Sequence, residues 1–194
     1  MTSLSKIFEN IETSLSLHQE ILNDTAIHKT LFFAAQNAAE RIKRGGKIIF
    51  AGNGGSFADA QHLAAEFIGT MGRKRKSLPA IALGTNSSSL TAIGNDYSFS
   101  EIFNRELKAL GSKNDFIILI STSGQSENLI ELIATIKEKE IESLALVGKN
   151  GGALSQNLPS IIIPSYRTER IQECHILLGH IFCELVEDNL EVAV

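Results

Sequence analysis

The sequence predicts an α/β fold: a three-layer α/β/α sandwich around a five-stranded parallel sheet, with a long N-terminal helix ahead of it. Three observations predict this. Short, wholly apolar runs alternate with longer segments of helical periodicity, the pattern of strands buried on both faces between crossover helices. Two turn-like stretches, Gly52-Asn53-Gly54-Gly55-Ser56 and Ser121-Thr122-Ser123-Gly124-Gln125-Ser126, each follow an apolar run and open a helix. That puts both at the carboxyl ends of strands, where open α/β sheets bind ligands. Finally, 194 residues at 43% hydrophobic content can bury one substantial core, so a single domain is expected.

The elements follow in order. Residues 3–44 have helical periodicity: Leu17, Ile21, Ala35, Ala38, Ala39 and Ile42 mark apolar stripes, and no proline interrupts them. A helical segment before the first strand must bury that stripe on something, often another subunit. Gly45-Gly46 ends it. Lys47–Ala51 is the first strand, and Ser56–Ile68 a helix with Ser56 as its N-cap. Ala80–Leu83 is the second strand, followed by helical pieces over Ser87–Ile93 and Phe99–Ala109. Phe116–Ile120 is the third strand. Ser126–Lys139 is a helix whose start carries the serine half of a capping box. Ser143–Val147 and Ile161–Ile163 are the fourth and fifth strands, and Thr168 to about Leu190 is the last helix. There is no repeat and no low-complexity linker.

Composition excludes several classes. A net charge of -4 argues against a general nucleic-acid binder. The one basic cluster, Arg73-Lys74-Arg75-Lys76, reads as a solvated loop after a helix. No apolar stretch is long enough to span a bilayer, and the N-terminus lacks a signal-peptide core. Cys174 and Cys183 lie nine apart on one helix, on opposite faces, and cannot bridge within it. Reduced thiols in a cytoplasmic protein are the simple reading.

The chemistry lies in three stretches. The first turn is no Walker A loop, because no Gly-Lys-Ser/Thr follows. It is no full dinucleotide fingerprint either, because Phe57 occupies the third glycine position. Such a turn also serves tight packing of strand on helix. The second turn is the stronger signal. Ser121, Thr122, Ser123 and Ser126 surround Gly124, and one N-cap would need only one hydroxyl. Hydroxyls and backbone N–H groups at a helix start can hold a phosphate dianion without lysine. The third group comprises His62, Glu66, Gln172 and His180. His62 and Glu66 are four apart and share a helix face. Gln172 and His180, eight apart, converge only on a ligand lying between them. Any one of these alone is commonly a surface or core group. Beside two ligand turns, the set suits zinc or a similar divalent ion, or proton removal and return. His175 points elsewhere and reads as structural.

These motifs carry a resemblance over nearly the whole chain. GNGGS, DAQHLAAE, AIGNDYSF, STSGQS and RIQECHILLGH, in this order, resemble the SIS (sugar isomerase) domain family and, within it, the phosphoheptose isomerases. The resemblance implies a flavodoxin-like parallel sheet and a homotetramer with active sites between subunits. In that frame residues 1–45 are a helical oligomerisation segment and residues 46–194 the sugar-phosphate-binding core. The implied reaction converts sedoheptulose 7-phosphate to D-glycero-D-manno-heptose 7-phosphate, the first step toward ADP-heptose for surface polysaccharide. Motif matching implies that Asn53, Gly54, Gly55, Ser56, Glu66, Asn95, Asp96, Ser121, Thr122, Ser123, Ser126 and Gln172 bind substrate. It implies that His62, Glu66, Gln172 and His180 hold one zinc per subunit, with no nucleotide cofactor. Glu66 is then the base that moves a proton between C1 and C2 through an enediol, and His180 the acid at the sugar oxygens. The chain departs from the family pattern at Phe57, at Gly69-Thr70-Met71-Gly72 and at Asn86. Its Pro164-Ser165-Tyr166-Arg167-Thr168 resembles a sister group that associates with the bacterial replication initiator. A non-catalytic tetramer binding that protein is therefore the alternative. The full set of His62, Glu66, Gln172 and His180 favours the enzyme.

Overall fold

The computed structural model of the chain describes residues 3–72 and 74–190. In place of one long N-terminal helix there are two, α1 (Ser3–Asn23) and α2 (Thr25–Lys43). Asp24 makes the break. Its backbone is extended, and its carboxylate accepts from the N–H groups of Ala26 and Ile27 at 2.8 and 3.2 Å. An aspartate that can cap a new helix competes with continuing the old one, and apolar periodicity does not register that competition.

Among the described residues the strands are β1 (Ile48–Gly52), β2 (Ala80–Ala82), β3 (Phe116–Ser121), β4 (Glu142–Gly148) and β5 (Ser160–Ile163). All neighbours are parallel, in the order β2-β1-β3-β4-β5. β1 and β3 are buried along their whole length, as their unbroken apolar runs require. Alternate side chains feed two separate cores. Ile48, Phe50, Phe116, Ile118 and Ile120 pack with α2, with α3 (Gly55–Ile68) and with α9 (Thr168–Leu190). Ile49, Ala51, Ile117 and Leu119 pack on the other face. That face is covered by α5 (Ile102–Leu110), α6 (Glu127–Ile130), α7 (Leu132–Glu138) and α8 (Gly152–Asn157), while α4 (Ser87–Asp96) lies beside α5. The expected Ser126–Lys139 helix is therefore two pieces meeting at Glu131, and α8 was not foreseen. On the first face Phe182 of α9 packs edge-on to Phe67 and stacked on Phe116, each ring burying about 2–3 kcal/mol of apolar surface.

Chain order reverses direction between β1 and β3. Such a reversal opens a crevice beyond the strand ends. The β1–α3 and β3–α6 turns flank it, so the strand order brings the two glycine/serine turns together.

Two expectations about charge and helix starts change. Arg75 is not solvated: its side chain is 1% exposed and pairs with Glu187. Arg73 lies outside the described residues. Ser56 is not the N-cap of α3. Gly54 holds that position at φ +56, and Ser56 is buried one residue into the helix. Cys174 and Cys183 are buried and free. Burial, with Glu173 adding to it, pushes the Cys174 thiol up to about 11.

His175 is fully buried in α9, and among the described residues neither ring nitrogen has a full hydrogen-bond partner. Desolvation lowers its pKa from 6.5 to about 4, against a smaller opposing pull from the Val147 carbonyl. The fold thus prefers the neutral ring, so this contribution is intact above pH 6.5 and is lost as pH falls toward 4. At about 1.4 kcal/mol per unit, the loss is on the order of 3 kcal/mol. Urea melts of His175→Met are expected to show a shallower fall in stability over that window than the parent. An identical slope in both proteins would remove His175 as the cause.

Candidate active site

The first turn is shaped by close approach. A side chain at Gly55 would put its Cβ 2.3 Å from Gln172 Nε2, so glycine there lets the α9 amide reach the turn. The Asn53 and Asn128 side chains exchange hydrogen bonds at 2.8 and 2.9 Å. This amide pair ties the first turn to α6, and so to the second turn.

In the second turn Ser121 Oγ accepts from the Gly124 N–H at 3.1 Å and lies 3.4 Å from Ser126 Oγ. Ser123 Oγ accepts from the Gln125 N–H at 3.2 Å. Ser126 occupies the N-cap position of α6, yet its hydroxyl makes no capping bond. Gly124 is left-handed at φ +63, and a Cβ there would sit 2.0 Å from the Gly151 carbonyl oxygen. The α8 entry thus buttresses the turn from behind.

The two turns and the start of α9 enclose a cavity of about 270 Å³, lined by Asn53, Gly55, Ser56, Ile120, Ser121, Thr122, Ser123, Ser126, Thr168 and Gln172. Among the described residues no lysine or arginine lines it. Hydroxyls, amides and helix-start N–H groups are its polar groups, a neutral set suited to a phosphate. Thr168 was not foreseen, and its only signal was its place as the first residue of the last helix.

The second group lies further along α3 and α9. His62 Nε2 is 2.9 Å from His180 Nε2 and 3.3 Å from Glu66 Oε1. One donor atom from each of the three residues lies within 4.8 Å of the other two. Glu66 is 20% exposed and His62 49%, so the group opens to solvent on one side. Two imidazole nitrogens cannot both donate to each other. This arrangement needs either one proton between them or a cation shared by both. Two imidazoles and a carboxylate converging at this range match the donor set of a divalent transition metal such as zinc. Asp59, one turn before His62, was also missed. Its Oδ2 is buried without a hydrogen-bond partner among the described residues. Burial raises its pKa, and the charges of His62 and His180 oppose the rise. Its spacing of three from His62 was the available signal.

Other expected site residues stand apart within one chain. Gln172 faces the cavity, and His180 lies eight residues on, about 12 Å by helical rise. The two do not converge in a single copy. Asn95 and Asp96 bond each other at 2.8 Å at the exposed end of α4. Phe57 points away from the cavity and lines a separate apolar hollow of about 180 Å³ with Leu90, Phe99 and Phe103. Asn86 caps α4 by accepting from Ser88 and Ser89.

A family model for the SIS domain matches residues 9–148, the class that this doubly wound sheet and its hydroxyl-rich turns define. The phosphoheptose isomerase of Aquifex aeolicus is 50% identical over 151 residues, covering 77% of this chain and 79% of that protein. That of a Nitratiruptor species is 42% identical over 188 residues, covering 94% of this chain and 100% of the relative. The solved structure of a phosphoheptose isomerase from Neisseria gonorrhoeae superposes with a TM-score of 0.90 at 38% identity, covering 96% of this chain and 100% of that one. The chain belongs to the phosphoheptose isomerases of the SIS domain family. It is an enzyme, a sugar-phosphate isomerase.

Proposed function

We propose that the protein interconverts sedoheptulose 7-phosphate and D-glycero-D-manno-heptose 7-phosphate, the first step toward ADP-heptose. The observation that carries this reading is the pairing of a neutral phosphate cavity with a carboxylate and two imidazoles on the same two helices. Ser121, Thr122, Ser123 and Ser126 hold the phosphate, with Asn53, Gly54, Gly55, Ser56 and Gln172 around it. The Glu66 carboxylate takes a proton from C1 of the ketose, giving the 1,2-enediol, and returns it to C2. His180 gives a proton to the oxygen on C2 and takes one from the oxygen on C1, so the aldehyde forms with no net change in protons. His62, Glu66 and His180 would hold zinc. When bound, such an ion acts as a Lewis acid toward the sugar oxygens.

The reading includes a homotetramer with sites between subunits. Leu4, Ile7, Phe8, Ile11 and Leu15 form an exposed stripe along α1. Ile21, Leu31, Phe32, Leu178 and Ile181 line an apolar hollow of about 580 Å³ beside it. That much apolar surface supports burial against other copies, with residues 1–45 as the oligomerisation segment. A second copy then brings Asn95 and Asp96 to the sites that one chain leaves without them. Among the described residues no helix is long and apolar enough to cross a membrane, and the free, buried thiols support a cytoplasmic setting.

One preparation tests these points together. The purified protein is expected to isomerise sedoheptulose 7-phosphate, to lose turnover on chelation and to regain it with zinc. Light scattering at micromolar concentration is expected to give the mass of four subunits. Full turnover in protein shown by elemental analysis to be metal-free would remove the metal. A monomer mass would remove the shared sites.

A further inference from the structure

We propose that Arg75 and Glu187 form a clamp that sets α3 against α9, and that both are positioning residues for Glu66, His62 and His180. Arg75 lies in the connection between α3 and β2. Its Nη2 donates to the carbonyl of Glu66 at 2.8 Å, and its Nη1 to those of Phe67, Gly69 and Lys76 at 2.9, 3.2 and 3.0 Å. The carbonyls of residues 66, 67 and 69 are the acceptors that a helix end leaves without intrahelical partners, and a cation there also suits the helix dipole. The same guanidinium reaches across to α9. Nε and Nη2 lie 2.6 and 2.5 Å from Glu187 Oε1. The two side chains are 1% and 5% exposed.

The placement of this pair points to the site. Arg75 grips the peptide of Glu66 itself. Glu187 follows His180 by seven residues, two turns along the same face of α9. Between them lies Cys183, whose thiol is pushed up by burial first, then by the charges of Glu66 and Glu187, with Arg75 opposing. A buried ion pair is weak evidence for stability, since well-packed apolar residues often do as well. An apolar pair cannot bond three carbonyls of one helix and a carboxylate of another from one rigid plane, which is what guanidinium geometry allows. The distance between Glu66 and His180 therefore depends on this group, and a shift of about 1 Å at reacting groups can cost about 10²-fold in rate.

The test is the double variant Arg75→Met/Glu187→Leu, which removes the clamp without leaving a lone buried charge. It is expected to fold, with kcat lowered about 10–100-fold and KM little changed. Its affinity for Zn²⁺, read by competition with a chromophoric chelator, is expected to fall about 10–100-fold, as for other losses of outer support around ligands. Arg75→Lys keeps the charge but not the fork, and is expected to recover stability more than kcat. Lys47→Met breaks a pair with buried Asp115 at the opposite end of the strands and serves as a destabilised control, with kcat and Zn²⁺ affinity unchanged. Parental kcat and Zn²⁺ affinity in the double variant would overturn the clamp, as would an equal loss in the control. The Zn²⁺ arm rests on the proposed metal site. If the parent protein binds no Zn²⁺, that site fails, and the kcat comparison still decides the clamp.

Discussion

Glu66→Gln is expected to lower turnover about 10²–10⁴-fold, the usual cost of losing a positioned acid or base, while the protein stays folded. Glutamine keeps the size and polarity of glutamate but cannot accept a proton from carbon. The backbone of residue 66 would still be held by Arg75 Nη2, and α3 would keep its buried apolar face. KM is therefore expected to move far less than kcat, the signature of an interaction made in the transition state. Glu66 is also a candidate metal ligand, 3.3 Å from His62 Nε2, so zinc content has to be measured on the same sample. A variant with full zinc and reduced kcat identifies the base. Parental turnover in a folded Glu66→Gln protein would exclude Glu66 from proton transfer.

The largest expected effect on binding comes from Ser123→Ala/Ser126→Ala. Both hydroxyls line the cavity, and Ser126 makes no capping bond that competes for its oxygen. Ser121 is left intact because it is buried and its hydroxyl accepts from Gly124 inside the turn, whereas Ser123 Oγ accepts from an N–H that water can reach. A hydrogen bond to a charged acceptor contributes about 1.5–3 kcal/mol. Losing two is expected to raise KM for the sugar phosphate at least about 10²-fold, at about 1.4 kcal/mol per decade. The phosphate stays in place through the reaction, so kcat is expected to change little. An unchanged KM in this variant would take the phosphate out of the serine turn.

Much of this site was legible because its parts are local. Ser121 to Ser126 sit within six residues, and their chemistry needs only a strand before them and a helix after. His62 and Glu66 share a face by spacing alone. Arg75 shows where such reading fails. In sequence it is one of four consecutive cations and reads as solvated. In the fold it meets a carboxylate 112 residues away and the open carbonyls of its own preceding helix. Asp59 carries the same lesson: its buried oxygen becomes evident only when α9 brings His180 beside α3.

The sequence by itself determined the five strands, the main helical segments and the two hydroxyl- and glycine-rich turns, but not the break at Asp24, the break at Glu131 or α8. Apolar periodicity and turn chemistry act over a few residues, whereas the strand order β2-β1-β3-β4-β5 is fixed by which strands pair. Only the tertiary structure decided which ligands meet. The packing of α3 on α9 brings His62 and His180 together across 118 residues. The same helical rise that keeps Gln172 on α9 carries it to the phosphate cavity and away from them. Periodicity specifies the face a side chain occupies, whereas the height at which two helices cross is set where they touch or are joined: at Gly55 and Gly179, where a Cβ would clash with Gln172 and Leu63, and at the Arg75–Glu187 pair.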